Sequence, residues 1–324
     1  MRAIVYSNYG SPDVLRCEEI DKPAPKDNEV LIKVLAASLN PADLHFMRGT
    51  PFLLRLAAGL RKPKNTRLGL DLAGQVEAVG RNVTQFKSGD EVFGACRGAL
   101  AEYVCAAEDK LALKPANISF EDAAAVPVAA LTALQGLRDK GRIRPGQKVL
   151  VDGASGGVGT FAIQIAKSFG ADVTAACSTG KMDTAQSLGA DHVIDYTRED
   201  FTKSGQRYDT IFAANAYHSI FDYRRALSPK GIVVMAGGGM AQVFQIMSLG
   251  PLLSLFGGWK FYLFIAKMNR KDLDSLRDLL ATGKVTPLID NRYPLSEVAE
   301  AVRYLEEGHA RGKIAITVEH GSGA

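Results

Sequence analysis

The sequence predicts an α/β protein: a doubly wound parallel-sheet domain joined to a second, β-rich domain. Short β runs broken by Gly, Pro and Asp fill residues 1–115. A strand, a glycine cluster and a helix start follow one another from Lys148 to Gly159. Strands and helices then alternate, the pattern of a parallel sheet covered on both faces.

The glycine stretch is Lys148-Val149-Leu150-Val151-Asp152-Gly153-Ala154-Ser155-Gly156-Gly157-Val158-Gly159. Val149 to Val151 form a short apolar run. Val158, Ala162, Ile165 and Phe169 recur at helical spacing. Strand, glycine turn and helix N-terminus in that order make an anion site, because unpaired N–H groups and the helix dipole point at the turn. A pyrophosphate needs a turn without side chains, which Gly156, Gly157 and Gly159 provide; Ser155 and Val158 share it. The alternative is a tight turn that serves only helix–strand packing.

In the first part, residues 30–36 alternate, Gly69 to Gly80 is a glycine-punctuated β stretch, and Ala101 to Val104 reads as a strand. A helical tract begins at Glu121, with Pro127 expected to break or kink it. After the glycine stretch, strands are expected at 172–176, 192–195, 209–213 and 231–236, and helices at 181–188 and 218–227. Amphipathic helices follow at 271–282 and 296–307, and a last strand at 312–318. The β-rich part and the tail are expected to share one domain, 1–121 with 267–324, around a nucleotide-binding domain at 122–266.

Composition narrows the function. The chain has 324 residues, 47% hydrophobic and 23% charged, with a net charge of +4. That charge is too small to imply a nucleic-acid partner. Cys17, Cys96, Cys105 and Cys177 form no CxxC pair and read as reduced thiols of a cytoplasmic protein. The N-terminus lacks the long apolar core of an export signal.

Several stretches together carry a family resemblance. They are Asn40-Pro41-Ala42-Asp43, Gly69-Leu70-Asp71-Leu72-Ala73-Gly74, Gly89-Asp90-Glu91-Val92-Phe93-Gly94, Ala101-Glu102-Tyr103-Val104, Gly153 to Gly159, Leu188 to Tyr196, and Gly312-Lys313-Ile314. In this order and spacing the chain resembles the zinc-free members of the medium-chain dehydrogenase/reductase superfamily, in the NADPH:quinone oxidoreductase group. The resemblance implies a GroES-like β-rich catalytic domain plus a Rossmann domain, with substrate and nicotinamide meeting in the cleft between them. It also implies a hydrophobic carbonyl or quinone substrate. Within enzymes, a carbonyl or alcohol oxidoreductase is the alternative; outside them, a low-turnover NADPH-binding scaffold or redox sensor.

Residue types argue against zinc. Asn40 stands where zinc alcohol dehydrogenases of the superfamily usually place a cysteine, and Gly69-Leu70-Asp71 replaces the usual Gly-His-Glu. No cysteine lies near Pro127. Asp43 and His45 remain, but two such groups do not close a site. Without a metal, an already activated electrophile such as a quinone or enone is the easier acceptor. The protein then has to position it, exclude water and donate a hydrogen bond to its oxygen. Asn40 is the first candidate donor, its alternative being a turn-former before Pro41. Asp43 orients Asn40, relays a proton, or caps the following helix. His45 is a lesser candidate proton source.

The cofactor is read at the end of the second strand. An NAD enzyme places an acid there for the ribose 2′-OH. Here the residues are Ala176-Cys177-Ser178-Thr179-Gly180-Lys181. The acid is missing, and Ser178, Thr179 and Lys181 suit a 2′-phosphate, so NADPH is expected. Lys181 is otherwise a solvated helix start. The resemblance adds Tyr196 beside that phosphate, Thr132 at the nicotinamide end and Lys313 among the cofactor-binding residues.

Two segments stand apart. Thr50 to Arg67 mixes apolar and basic residues and reads as an amphipathic surface segment, with a lid over the cleft or a patch attracting anionic partners as the alternatives. Residues 241–266 are almost uniformly apolar, but Gly250-Pro251, Gly257-Gly258 and Lys260 interrupt a membrane span. The segment is expected to line the substrate cleft as a hydrophobic helix or loop, without membrane contact. The strand at 259–265 would be the last of the sheet, and pairing of that edge with its copy makes a homodimer the expected assembly, the alternative being a monomer whose edge the 241–257 segment covers.

Overall fold

The computed structural model describes residues 1–320, apart from the Phe256 side chain. The chain divides into two compact units: Met1–Val128 with Met268–Thr282 and Pro287–Ala324, and Ala129–Lys267 with Gly283–Thr286.

The first unit opens with β1 (Arg2–Val5), β2 (Arg16–Glu19) and the long β3 (Glu29–Leu39). Helix α1 (Pro41–Arg48) carries proline at its first turn and ends at Gly49, whose φ of 61° is the left-handed cap that a glycine adopts without strain. Then come α2 (Leu54–Ala58), β4 (Asp71–Val79), β5 (Glu91–Ala95), β6 (Tyr103–Ala107), β7 (Leu111–Leu113) and α3 (Phe120–Ala124). Ser119 Oγ caps α3 by accepting from the Asp122 N–H at 3.0 Å. Pro127 acts as expected of it: α3 ends at Ala124, and α4 (Pro127–Gln135) starts on the proline.

The second unit is a regular strand–helix alternation. It comprises β8 (Lys148–Asp152), α5 (Gly157–Ser168), β9 (Asp172–Cys177), α6 (Met182–Ser187), β10 (His192–Asp195), β11 (Tyr208–Ala213), α7 (Ile220–Arg225), β12 (Leu227–Met235), α8 (Met240–Gly257) and β13 (Lys260–Leu263). The strands pair in parallel in the order β10-β9-β8-β11-β12-β13. The order reverses between β8 and β11, and open parallel sheets bind ligands at such a switch point, beyond the carboxyl ends of the strands. β13 lies at an edge, as the sequence predicts.

The chain returns to the first unit with α9 (Arg270–Ala281), β14 (Ile289–Pro294), α10 (Val298–Glu306) and β15 (Lys313–Thr317). β15 joins the sheet β14-β15-β3-β4-β5-β7, so the C-terminal tail pairs with β3, as expected. Val30, Ile32 and Val34 of β3 share one core with Leu72, Val92, Ile314 and Val302.

The division differs from the expected one at its edges. The first boundary falls at 128/129 rather than 121/122, because the Val128 N–H is tied to Asp71 of β4 at 2.9 Å. Residues 283–286 go with the sheet unit, because Gln164 of α5 exchanges hydrogen bonds with both backbone groups of Thr286. The apolar segment expected from 241 opens as one helix, α8, which ends at Gly257. Among the described residues no helix is long and apolar enough to cross a membrane.

Candidate active site

Three strand ends of the first unit converge on a buried charge pair. β3 brings Ser38 and Leu39 and hands the chain to Asn40. β4 begins with Asp71, opposite Ser38. β15 begins with Lys313, whose neighbour Ile314 lies opposite Leu39. The Lys313 ammonium donates to Leu39 O at 2.9 Å, Asn40 Oδ1 at 2.6 Å and Asp71 Oδ2 at 3.2 Å. Asp71 Oδ2 also accepts from Ser38 Oγ at 3.0 Å and Asn40 Nδ2 at 2.9 Å, while Oδ1 takes the Val128 N–H. Asp71 is 0% and Lys313 3% exposed. A charge pair this deep is tolerable only when its hydrogen-bonding capacity is met; here each ammonium proton has an acceptor and both carboxylate oxygens have donors.

The pair fixes how Asn40 faces. An ammonium only donates, so it holds the carbonyl end of the amide; a carboxylate only accepts, so it holds the nitrogen end. One of the two amide protons is thereby engaged. Lys313, which the resemblance places at the cofactor, lies in this network with all three protons used. Its spacing in the sequence gave no sign of that, because its partners Leu39 and Asp71 are 274 and 242 residues away.

Asp43 is the second buried acid. It sits in the first turn of α1, where its Oδ2 accepts the Asn40 N–H at 2.8 Å. That contact is the carboxylate half of a capping box, and it places Asp43 against the backbone of Asn40. Asp43 Oδ1 has no partner. Burial pushes the carboxyl up to about 7, against the opposing pull of the Asn40 N–H. Asp43 also lines a small cavity with Tyr6, Phe46, Asn65, Arg67 and Arg97. Burial raises the Tyr6 phenol to about 12, so it stays protonated. His45, two residues on in α1, is exposed.

In the second unit, the glycine turn lies at the switch point. Gly153 has φ 77°, a left-handed conformation. A Cβ on Gly159 would lie 2.2 Å from Gly153 O, so that glycine is required by close helix–strand approach. A Cβ on Gly156 would meet only one atom, at 3.7 Å, and its φ of −80° suits any residue. The fold therefore does not need a glycine at 156. Gly157, Val158 and Gly159 open α5, where the first-turn amides have no intrahelical acceptor. Ser155 is half-buried in the turn, and Thr132 is buried on α4.

The residues expected at a 2′-phosphate lie past the ends of β9 and β10. Ser178 and Lys181 are half-buried around a single turn at Thr179–Lys181. Tyr196 is exposed, its ring edge-on to Tyr217 at 6.1 Å. Thr179 differs from expectation. Its hydroxyl proton goes to Asp195 Oδ2, so it has none left for a phosphate. Thr179, Thr197 and Arg198 in turn hold the Asp195 carboxyl below its usual range. Sequence reasoning also passed over Asp152 at the end of β8. It is buried, accepts from Tyr223 Oη at 2.6 Å, and is pushed up to about 7 by desolvation. An acid closing an otherwise apolar strand was the available signal.

Comparisons with known proteins bear on both units. Residues 26–116 match the family model "Alcohol dehydrogenase GroES-like domain", and residues 188–316 match "Zinc-binding dehydrogenase". A 2-methylene-furan-3-one reductase of Solanum lycopersicum is 39% identical over 98% of this chain and 79% of its own length. The chain belongs to the medium-chain dehydrogenase/reductase superfamily, in its quinone oxidoreductase group. A chloroplastic NADPH-dependent alkenal/one oxidoreductase of Arabidopsis thaliana is 37% identical over 98% of the chain and 79% of its own length. The solved quinone oxidoreductase of Coxiella burnetii superposes with a TM-score of 0.87 at 31% identity, over 98% of this chain and 99% of that one.

Lys313→Met strands a buried carboxylate and should cost about 3–5 kcal/mol in urea unfolding, whereas Asp71→Leu combined with Lys313→Met should recover much of that loss. Gly156→Ala should leave the melting temperature unchanged yet raise the NADPH dissociation constant about tenfold or more. Gly159→Ala should instead lower stability, by about 1–3 kcal/mol, through its clash with backbone. Calorimetry and fluorescence titration separate the two glycines.

Proposed function

We propose that this protein is a zinc-independent, NADPH-dependent oxidoreductase that reduces quinones or the carbon–carbon double bond of α,β-unsaturated carbonyl compounds. The observation that carries the reading is Asn40. Where zinc relatives usually have a cysteine, this chain has a neutral amide, locked by Lys313 and Asp71 with one of its two N–H groups not engaged by them. The names of the two plant relatives and the Coxiella protein support the substrate class. Among the described residues no group of three or more His, Cys, Asp or Glu side chains is placed to hold a metal ion.

The residues fit a dinucleotide. The side-chain-free turn at Gly156 and the open amides of α5 suit its pyrophosphate, and Ser178, Lys181 and Tyr196 its 2′-phosphate. Thr179 positions that loop through Asp195. Thr132 is proposed for the nicotinamide end. Bound NADPH supplies the hydride. The protein's part is to hold the acceptor, offer the Asn40 N–H where negative charge develops, and deliver a proton. Asp43 is the proposed proton source, because it is buried and still carries a proton near neutral pH. The four free cysteines support a reducing, cytoplasmic setting.

The direct test is NADPH consumption against a panel of quinones, enones, saturated ketones and aldehydes, with and without chelator. Turnover of quinones or enones, unaffected by chelator, is the expected result. Carbonyl-only turnover would move the protein among alcohol dehydrogenases, and no turnover with any acceptor would leave a binding protein.

Asp43 gives a pH dependence. Its protonated form is the active donor, so turnover of an enone should fall as pH rises through about 7. Asp43→Asn should lower turnover and flatten that fall, while NADPH binding is kept. A profile unchanged by the substitution would remove Asp43 from proton delivery.

The proposed assembly is a homodimer through the edge of β13. Phe264 N–H donates to Met235 O at 2.9 Å, so by strand alternation the N–H of Leu263 points away from β12, toward the open edge. Leu263 is also exposed, whereas Phe261 is in the core. Leu263→Pro should therefore release monomers in sedimentation with the fold intact, because it removes an outward donor and no internal one.

A further inference from the structure

We propose that the outer face of α8 docks this protein on the surface of an anionic lipid bilayer. α8 carries no charged residue from 240 to 257. Its inner face is used: Val243, Ile246, Leu249 and Leu253 pack on the sheet core with Phe261. Its outer face is largely apolar, with Ser248 bonded back to the Phe244 carbonyl. Phe244, Met247 and Leu255 are 71%, 65% and 76% exposed, and Met240 and Leu252 are also more than half exposed. These positions fall on one helical stripe. A helix apolar all round belongs in an apolar surrounding on every side, and this one has it on one side only.

Charge identifies the missing side. Residues 223–271 contain no Asp or Glu, but seven Lys or Arg. Three of these gather at the C-terminal end of α8. Arg224 stacks 5.4 Å from the Trp259 ring, Lys230 runs beside Gly258, and Lys260 is exposed one residue past Trp259. None of the three pairs with a carboxylate among the described residues. An apolar helix face rimmed by cations and a tryptophan is the composition of an interfacial segment. A second copy of the chain has no acid to bring from its own 223–271, whereas an anionic headgroup brings one. The helix lies on the bilayer and does not cross it, because its inner face is already committed to the sheet. The other unit repeats the combination. Phe52, Leu53, Leu56 and Leu60 are more than half exposed, and no acid occurs between Asp43 and Asp71. The membrane contact that the sequence argued against thus has its surface here. The glycines and Pro251 interrupt a span, but they leave an apolar face intact.

The test is flotation of the full chain with vesicles of phosphatidylcholine and phosphatidylglycerol, against phosphatidylcholine alone. Trp259, the chain's single tryptophan, is a built-in probe beside the surface. Binding to the anionic vesicles at low salt is expected, with a blue shift of its emission and loss of binding at high salt. Phe244→Glu and Leu255→Glu should each lower the partition coefficient about tenfold or more. Lys230→Gln and Lys260→Gln, both at exposed positions, should each lower it about fivefold. Absence of binding by the unmutated chain would overturn the proposal, as would unchanged binding by the lysine variants. So would sedimentation showing that Phe244→Glu splits a dimer, since the face would then belong to a second copy.

Discussion

The ion pair between Lys313 and Asp71 is the constraint on which the catalytic unit depends. It draws the ends of β3, β4 and β15 to one point and ties in the start of α4 through the Val128 N–H. Its charges cannot be left unmatched at that depth, so every neighbouring polar group is conscripted: the Leu39 carbonyl, the Ser38 hydroxyl and both ends of the Asn40 amide. Asn40 is consequently aimed by electrostatics. A side chain that would otherwise rotate about its terminal bond is held in one orientation, the preorganisation that the proposed donor role of Asn40 requires.

The buried acids show how surroundings divide one chemistry into different tasks. Asp71 has a cation against it and serves as an anchor. Asp43 and Asp152 make no ion pair among the described residues, and desolvation pushes each up to about 7, for Asp43 against the weaker opposing pull of Lys313. Asp43 keeps an unpartnered oxygen in a polar cavity and is suited to proton transfer. Asp152 also keeps one, but its other oxygen is bound by Tyr223 beneath the glycine turn. Asp195 is the opposite case: two threonine hydroxyls and an arginine stabilise its charge, and the loop at the end of β9 is braced on it.

What could be read from the sequence was what the backbone alone dictates. The glycine turn was legible because Gly153 needs a left-handed φ and Gly159 a close approach, both properties of single residues. The strand–helix alternation was legible for the same local reason, and so were the edge position of β13 and the break at Pro127. Pairings made across the whole chain were not. Nothing near Lys313 in sequence announces Asp71, and nothing near Thr179 announces that Asp195 takes its proton. Nor could periodicity assign an inner and an outer side to α8, since a helix apolar on every face carries no such signal. Its packing against the sheet had to be seen before the exposed stripe had meaning.

The central claim is that hydride goes from NADPH to a carbon activated by conjugation, with Asn40 holding the oxygen. Tracing the label from NADPH deuterated at the nicotinamide C4 into a simple enone tests it most directly. The account predicts deuterium on the carbon β to the carbonyl of a saturated ketone, and strong loss of that product in Asn40→Ala with NADPH binding retained. Deuterium on the carbonyl carbon of an allylic alcohol would contradict it.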